Sequence, residues 1–279
     1  MPKTWLVTGS SRGFGRSITE AALKRGDRVV ATARKPEQLD DLNESYGQNV
    51  LTCALDVTDS RAAKIAVDAA VNAFGSLDIV VNNAGYADSA PIEEMSERNF
   101  RDQIETNLFG LVNVTRAVLP IFHRQHSGHF LQFSSIGGRV GGTPGMGAYQ
   151  TAKFGVEGFS EVLNAEVKPL GIKVTIVEPG GFRTDWGGSS MGTSRVGTDY
   201  EDTVGAMNRF RESTVTTWRG DPKRAANILL DLVDLDEPPL RLLLGEGAVR
   251  SADQSSRERG AEAKRWAEVS RSADFPEGE

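Results

Sequence analysis

A tyrosine and a lysine four positions apart are the pair best suited to acid–base chemistry in this sequence. Tyr149 and Lys153 stand at positions i and i+4, the spacing of neighbours on one face of a helix. A tyrosine hydroxyl titrates near pH ~10, too high for efficient proton transfer at neutral pH, but a nearby cation favours the phenolate and lowers its pKa. The pair predicts a tuned proton donor, and an ordinary surface pair is the alternative.

Two serines and an asparagine could complete such a site. Ser134 and Ser135 follow the apolar run 130–133, at the end of a predicted strand. Open α/β sheets bind ligands at that edge, where a hydroxyl could polarise a carbonyl; a plain strand-to-loop turn is the alternative. Asn107 lies on the apolar stripe of a predicted helix, so its amide needs buried partners. It either makes structural hydrogen bonds that hold neighbouring segments together, or holds a water that passes protons to Lys153.

A glycine-rich segment between the first predicted strand and the first predicted helix has the form of a phosphate cradle. Residues 8–15 read Thr-Gly-Ser-Ser-Arg-Gly-Phe-Gly. Glycine permits a tight turn and a close approach of backbone to a pyrophosphate, which the free N–H groups of a helix N-terminus attract. The candidate cofactor-binding residues of this loop are Gly9, Ser11, Arg12, Gly13, Phe14 and Gly15.

The charge at the end of the second predicted strand indicates which dinucleotide would bind. A site that prefers NAD places Asp or Glu there to hold the ribose 2′-hydroxyl. This chain has Ala33 followed by Arg34, and Arg12 stands in the glycine loop. Two guanidinium groups suit a 2′-phosphate, which each can bind through two N–H groups. We therefore expect NADP(H); the alternative is that both arginines are solvated surface residues.

Short apolar runs that alternate with helical patterns must position these residues. Several runs lack period-2 alternation, as expected of strands covered on both faces. Their alternation with helices predicts an α/β fold with a doubly wound parallel sheet and helices on both faces. Apolar stripes mark two helices, over 100–119 and 152–170. The predicted strands are 5–7, 29–33, 50–55, 79–81, 130–133, 174–177 and 240–244.

Composition excludes several classes of function. A formal net charge of −6 argues against non-specific nucleic-acid binding, which needs a basic surface. No run approaches the roughly 18 apolar residues of a membrane span, and no signal segment is recognisable, so we expect a cytoplasmic protein without a membrane partner. One cysteine excludes an internal disulfide. No metal is expected, because spacing alone is weak evidence for a site at His123, His126 and His129.

Residues 181–220 differ in composition from the rest of the chain. Glycines and polar residues are interspersed with large apolar side chains, among them Trp186, Met191 and Trp218. This composition suits a mobile lid over an apolar ligand, or a poorly ordered loop with a short amphipathic helix near 201–213. We expect a catalytic domain over 1–250 that includes this segment. A charged tail, predicted to form a peripheral helix, would occupy 251–279.

The chain resembles the short-chain dehydrogenase/reductase family from residue 4 to about 184, with a looser fit to the last predicted strand. The resemblance implies a single Rossmann-like domain with strand order 3-2-1-4-5-6-7. The residues that carry it are Thr8-Gly9-x-x-x-Gly13-x-Gly15, Asp56, Asn82-Asn83-Ala84-Gly85, Asn107, Ser135, Tyr149-x-x-x-Lys153, Pro179-Gly180 and Thr184.

The resemblance also implies catalytic roles. Tyr149 would exchange a proton with the substrate oxygen, and Lys153 would bind the nicotinamide ribose and lower the pKa of Tyr149. Ser135 would hold the substrate oxygen, and Asn107 would support a proton-relay water. Ser135 stands one residue further from Tyr149 than is common in the family, which the loop 141–145 could absorb; Ser134 is the other candidate.

Further residues are implied to contact the cofactor. Asp56 and Val57 would flank the adenine. The resemblance also implies contacts after the fourth strand and at the nicotinamide end, from Asn83, Ala84, Gly85, Pro179, Gly180 and Thr184.

The expected function is an NADPH-dependent oxidoreductase. It would interconvert a ketone or aldehyde with an alcohol on an apolar small molecule, as a homodimer or homotetramer. A non-catalytic NADP(H)-binding regulatory protein is the alternative, and it would be expected to have lost Tyr149 or Lys153.

Overall fold

A parallel sheet of seven strands forms the centre of the computed structural model, which describes residues 2–185 and 191–275. A separate pair of short strands, Ala87–Ser89 and Met191–Thr193, lies outside this sheet. The strands are β1 Thr4–Val7, β2 Arg28–Ala33, β3 Val50–Ala54, β4 Ile79–Asn82, β5 Ala87–Ser89, β6 Gly128–Phe133, β7 Ile172–Pro179, β8 Met191–Thr193 and β9 Arg241–Leu244.

The order across the main sheet is β3-β2-β1-β4-β6-β7-β9. Counted within that sheet alone, this is the predicted order 3-2-1-4-5-6-7, and every pairing is parallel. The register places Val7 between Ala31 and Val81. The predicted doubly wound α/β fold is confirmed.

Helices connect successive strands and cover both faces of the sheet. Two expected helices differ in their bounds: the pattern over 100–119 is divided between the helices Glu97–Ile104 and Gly110–Gln125, and the one over 152–170 begins earlier, at Gly147. The helices are α1 Gly13–Lys24, α2 Asp40–Tyr46, α3 Ser60–Phe74, α4 Glu97–Ile104, α5 Gly110–Gln125, α6 Ile136–Arg139, α7 Gly147–Val167, α8 Ala206–Thr214, α9 Pro222–Leu232, α10 Glu246–Arg265 and α11 Ala267–Arg271.

The core forms two apolar layers, one on each side of the sheet. Trp5 and Val7 face α1 and α9, whereas Leu6 between them faces the layer that contains α3, α5 and α7. Each of these three side chains has no exposed surface. Alternate residues of a strand point to opposite faces, so a strand covered on both sides is apolar throughout. The sheet therefore holds its carboxyl edge rigidly, and the candidate site lies there.

The segment expected to form a lid contacts the residues after β4. Its strand β8 pairs in parallel with β5, and Ser89 donates a hydrogen bond to Asn208 in α8 (2.7 Å). The expected helix near 201–213 corresponds to a π-helical turn over Glu201–Gly205 and the helix α8. Trp186 lies outside the described residues.

The tail helix begins before residue 251. Helix α10 starts at Glu246, so the expected domain boundary at 250 falls inside it. Ala248 and Ala252 are buried against the domain, whereas the helix is largely exposed from Asp253 onward. Among the described residues, no helix combines the length and apolar character that a membrane crossing requires.

The three histidines do not converge. His129 is buried and its Nε2 pairs with the Thr175 hydroxyl (2.9 Å), while His123 and His126 lie on the surface at the end of α5. Within the residues 2–185 and 191–275, no group of three His, Cys, Asp or Glu side chains could hold a metal ion.

Candidate active site

Tyr149 and Lys153 lie on the buried face of α7, close to the carboxyl edge of the sheet. Their exposed fractions are 7% and 5%. Lys153 donates a hydrogen bond from Nζ to the carbonyl oxygen of Phe133 (2.8 Å), the last residue of β6. The same nitrogen lies 5.7 Å from the centre of the Tyr149 ring. Because both side chains are withdrawn from solvent, the surface-pair alternative is excluded.

Burial dominates the titration of both groups. It raises the pKa of Tyr149 above the ordinary value of tyrosine, and a hydrogen bond with Ser135 opposes this shift. Burial also lowers the pKa of Lys153 to about 8. The expected lowering of the Tyr149 pKa by Lys153 is therefore not what this structure shows. The physical reason is that a buried site disfavours the phenolate and the ammonium alike.

Ser135, rather than Ser134, contacts the tyrosine. Its side chain is hydrogen-bonded to Tyr149, and its Oγ also accepts the N–H of Gly137 (3.0 Å), which caps α6. Ser134 Oγ is buried without a hydrogen-bond partner in the described part of the chain and lies where a Cβ on Gly138 would be. Ser134 therefore packs beneath the site and does not line it.

The loop between Ser135 and α7 accommodates the extra residue. Gly142 and Gly145 adopt positive φ values of +84° and +81°, which only glycine adopts without strain. Gln150, next to Tyr149, donates to the carbonyl oxygen of Val140 (3.2 Å) and accepts the N–H of Thr143 (3.2 Å). These bonds attach the loop to α7, so the longer spacing leaves Ser135 and Tyr149 in contact.

Asn107 lies in a π-helical turn between α4 and α5. This turn, Glu105–Phe109, divides the helix that the sequence predicts over 100–119. The Asn107 amide donates to the carbonyl oxygens of Tyr86 (2.8 Å) and Gln103 (2.9 Å). Single π turns inside helices frequently occur at functional sites.

The other end of the Asn107 side chain faces the site. Its Oδ1 is buried and has no hydrogen-bond partner in the described part of the chain. A Cβ on Gly85 would lie 2.5 Å from that oxygen and 3.8 Å from Lys153 Nζ. An unpaired buried acceptor is costly unless water or a ligand meets it. Asn107 thus makes structural hydrogen bonds through its amide nitrogen and, as far as the structure describes the chain, leaves its oxygen as a free acceptor beside Lys153.

The glycine loop forms a cradle in which residues larger than glycine would not fit. Gly9 and Gly13 have φ values of +71° and +57°. A Cβ on Gly15 would overlap the carbonyl oxygen of Gly9 and lie 2.7 Å from the Asn83 amide nitrogen. The loop therefore brings its backbone, without side chains at these glycines, to the N-terminus of α1, as an anion site requires.

The segment after β4 is attached to this loop. Thr8 Oγ1 accepts the backbone N–H groups of Asn83 (2.9 Å) and Ala84 (3.0 Å). The Asn83 side-chain amide donates to the carbonyl oxygen of Thr8 (2.9 Å). Gly85 follows directly and lies against Asn107. The structure thus brings the predicted residues of both loops together.

The predicted contacts at the adenine end lie on the ends of neighbouring strands. Arg34, after β2, is exposed, and so is Arg12 before α1. Asp56 accepts the backbone N–H (3.0 Å) and the hydroxyl (2.7 Å) of Thr58 through one oxygen. Val57 is buried and packs directly against Gly110, because a Cβ on that glycine would overlap the Val57 side chain.

The three residues predicted for the nicotinamide end lie beside the glycine loop or at the end of β7. A Cβ on Gly13 would lie 3.5 Å from Thr184 Cβ, so the last motif residue contacts the glycine loop. Pro179 ends β7, and Gly180 donates its N–H to the carbonyl oxygen of Leu244 (3.0 Å). The described residues place all three at the carboxyl edge of the sheet.

Phe14 and Ser11 complete the predicted set. The Phe14 ring packs between Phe133 and Phe182, with ring centres 5.4 Å and 4.9 Å apart. Its side chain is therefore part of the core, and only its backbone faces the cradle. Ser11 lies within the loop and is partly exposed.

Apolar side chains surround the tyrosine on its outer side. Ala87, Met146 and Tyr149 form a small cluster, against which Met191 of β8 packs. The strand pair of β5 and β8 was not expected from the sequence, because each strand has three residues and neither has an apolar run. This cluster gives the site an apolar wall.

The sequence patterns also did not predict a buried group of charges next to the site. Glu178 in β7 has no exposed surface and binds two arginines, Arg139 and Arg241. A single carboxylate at the end of the apolar run 174–177 is the sequence signal that could have indicated it.

Comparison with known proteins identifies relatives over most of the chain. The family model for short chain dehydrogenase matches residues 3–193. Oxidoreductase BOA17 of Botryotinia fuckeliana is 48% identical over 271 residues, which cover 97% of this chain and 98% of that protein. The crystal structure of a short-chain dehydrogenase from Streptomyces avermitilis superposes with a TM-score of 0.92 at 40% identity and covers 99% of this chain and 100% of its own.

Structural neighbours hold both nicotinamide dinucleotides. A short chain dehydrogenase from Burkholderia cenocepacia in complex with NADP has a TM-score of 0.74 at 26% identity, covering 95% of this chain and 97% of its own. A Burkholderia phymatum enzyme in complex with NAD has a TM-score of 0.82 at 20% identity, covering 94% and 95%; at that identity the likeness concerns the fold alone.

Proposed function

Because the chain belongs to the short-chain dehydrogenase family, whose relatives here are oxidoreductases, we propose that it is an NADPH-dependent reductase of apolar ketones or aldehydes. The observation that carries the proposal is the contact of Ser135 with Tyr149. Lys153 lies beside them, as does the Asn107 oxygen, which no group among the described residues hydrogen-bonds. Four groups of the types needed for proton transfer to a carbonyl thus meet in one buried place.

The residues present fit a dinucleotide. The bare backbone of the loop at Gly9, Gly13 and Gly15 would hold the pyrophosphate, and Thr184 lies against the same loop. Asp56 and Val57 would hold the adenine, and Asn83, Ala84 and Gly85 would line the ribose side. Bound there, the nicotinamide supplies the hydride.

Side chains of the protein would bind the substrate carbonyl oxygen and transfer a proton to it. Ser135 and Tyr149 would donate hydrogen bonds to a substrate carbonyl, which polarises it. Tyr149 would then give up its proton to the developing alkoxide. A tyrosine kept neutral by burial holds that proton until charge develops on the substrate. Lys153 and the Asn107 oxygen would bring a proton back to Tyr149 through ordered water.

The preference for NADP(H) rests on charge at the adenine end. Arg34 and Arg12 are the exposed cations at the ends of β2 and of the glycine loop, and Ala33 stands where an acidic residue would favour NAD. The NADP complex of the Burkholderia cenocepacia relative supports the proposal. A guanidinium fork matches the 2′-phosphate, while NADH offers it only a hydroxyl.

The preference for apolar substrates rests on the wall formed by Ala87, Met146 and Met191 around Tyr149. Methionine adapts to irregular apolar ligands, so this wall suits a bulky group next to the carbonyl. The segment of the lid that carries Met191 would close over such a group. We also propose a cytoplasmic location, with the catalytic domain extending to Ala252, where α10 leaves it, rather than to residue 250, and with the charged tail beyond.

We propose a homodimer or homotetramer as the assembled form. Phe154 and Val162 on α7 and Phe109 beside α5 are 39%, 59% and 47% exposed. Large apolar side chains on two long helices favour burial against a second copy.

The decisive experiment measures cofactor affinity and turnover separately. NADPH and NADH affinities are obtained from quenching of tryptophan fluorescence, and turnover from the loss of NADPH absorbance over a panel of bulky and small ketones. We expect tighter binding of NADPH and turnover that favours bulky apolar ketones. Tight NADPH binding without turnover of any ketone in the panel would favour the non-catalytic alternative.

A further inference from the structure

Glu178 lies at the junction of three elements that carry the site. It is the residue before Pro179 at the end of β7, and none of its surface is exposed. Arg139 donates from Nη1 to both of its oxygens (3.2 and 2.9 Å). Arg241 on β9 donates to one of them (2.7 Å). A carboxylate with two arginines is held in one orientation, because each hydrogen bond to a charged group is directional.

Arg139 connects this carboxylate to the catalytic serine. It ends α6, the single helical turn that Ser135 caps. The Val140 N–H bonds to the carbonyl oxygen of Ile136 (2.8 Å), so the turn is closed between the serine and the arginine. One turn of helix has little stability of its own. The position of Ser135 therefore depends on what holds the far end of α6.

Arg241 connects the same carboxylate to the helix of the tyrosine and the lysine. It forms ion pairs with Glu157 and with Glu161 (2.6 Å), which lie one and two turns after Lys153 on α7. Glu157 is buried, with 6% of its surface exposed. Glu178 thus links, through two arginines, the turn that bears Ser135 and the helix that bears Tyr149.

Burial of these charges costs free energy, so the cluster adds little net stability. Burial raises the pKa of Glu178 even though Arg139 opposes the shift, and burial lowers the pKa of Arg241. Buried ion clusters of this kind are often no more stable than apolar replacements. What the charges supply beyond packing is a fixed geometry.

We propose that Glu178 is a positioning residue, which through Arg139 and Arg241 holds the Ser135 turn and the α7 helix at the distance that lets Ser135 and Tyr149 share a substrate oxygen. The catalytic part of this inference rests on the proposed reductase activity; the positioning of the Ser135 turn does not.

The test compares this cluster with a matched one at the opposite edge of the sheet. Asp27 is also buried (5% exposed) and is held by Arg25 (2.9 Å), by the Trp5 indole (2.9 Å) and by the Lys3 N–H (2.9 Å). The variants are Glu178→Gln, Arg139→Met and Arg139→Lys, with Asp27→Asn as the control. Arg139 is partly exposed, so its replacement leaves no buried cavity.

Three quantities are measured on the full chain: kcat, NADPH affinity, and hydrogen exchange of the backbone over 134–140. We expect Glu178→Gln and Arg139→Met to lower kcat by about 10- to 100-fold, the scale of a misplaced catalytic group. NADPH affinity should change less than about threefold, and exchange over 134–140 should become faster. Arg139→Lys should recover part of kcat, and Asp27→Asn should lower the melting temperature while kcat stays within about twofold.

The proposal is overturned if kcat is unchanged in Glu178→Gln and Arg139→Met, or if Asp27→Asn loses as much. If the unmodified protein shows no turnover, the proposed function has failed, and exchange over 134–140 alone decides whether Glu178 positions the Ser135 turn. Unchanged exchange in Arg139→Met would refute that part as well.

Discussion

At the scale of single residues, the site depends on groups whose burial and partners set their chemistry. Tyr149 is kept neutral, Lys153 has a pKa of about 8, and the Asn107 oxygen has no hydrogen-bond partner in the described part of the chain. The motif positions were predictable from the sequence, because types and spacing are visible there. The dominance of burial over the effect of Lys153 was not, because it depends on how deeply α7 packs.

The cofactor preference is tested at one residue. Replacing Arg34 by Ala should weaken NADPH binding by about 1.5–3 kcal/mol, because a charged hydrogen bond to the 2′-phosphate is lost. NADH binding should be spared, since it lacks that group. Fluorescence titrations with both cofactors check this, with Lys35→Ala, an exposed neighbour, as the control. Equal losses for the two cofactors would refute the role of Arg34.

At the scale of elements, close backbone contacts that leave no room for side chains, together with a π turn, shape the site. Gly15 in α1 touches the carbonyl oxygen of Gly9, and the π turn at Glu105–Phe109 directs Asn107 inward. The sequence predicted α1 and the glycine loop, since a strand followed by glycines and a helix is a local pattern. It did not predict the π turn or the pairing of β5 with β8, which arise from tertiary contacts such as Asn107 with Tyr86.

The glycine cradle gives an element-scale prediction. Gly15→Ala should abolish measurable cofactor binding, because the new methyl group would overlap backbone that cannot move away. Gly260→Ala in α10 is the matched control: a Cβ there meets nothing within 4 Å, and stability should be unchanged or raised by up to about 1 kcal/mol. Both variants are assayed by NADPH titration and thermal unfolding. Normal NADPH affinity in Gly15→Ala would contradict the cradle.

At the scale of the whole molecule, the parallel sheet covered on both faces followed from the alternation of apolar runs and helices, and its strand order from the family resemblance. The charge cluster at Glu178 could not be predicted, because its members are up to about a hundred residues apart in sequence and meet only through the order of β6, β7 and β9. Long-range register is the part of the fold that a single sequence specifies least directly.

The buried His129 of β6 contributes to the acid stability of the whole sheet. Burial, with the charges of Lys173 and Lys3, lowers the pKa of His129 from 6.5 to about 3. In the unfolded chain His129 therefore binds a proton near pH 6.5, whereas in the folded protein it stays neutral until the pH approaches 3. The neutral histidine is compatible with full stability above pH 6.5, and stability falls as the pH drops from there toward 3, by at most about 1.4 kcal/mol per pH unit.

Replacing His129 by Gln should remove that dependence. Between about pH 6.5 and 5 it should recover about 2 kcal/mol of the acid-induced loss in the free energy of unfolding, measured by urea denaturation. The surface variant His123→Gln is the control and should keep the dependence. An unchanged pH dependence in His129→Gln would show that other groups govern acid unfolding.

The NADPH-dependent turnover of Tyr149→Phe, measured beside the unmodified protein on the best apolar ketone of the panel, shows whether the Tyr149 hydroxyl is the proton donor. The variant keeps the ring that packs against Ala87 and Met146 and removes only the hydroxyl that Ser135 contacts. We predict that turnover falls by about 10²–10⁴-fold, the range for a general acid, while NADPH affinity stays unchanged. Turnover within a few-fold of the unmodified protein would remove Tyr149 from the mechanism and contradict the proposed proton transfer.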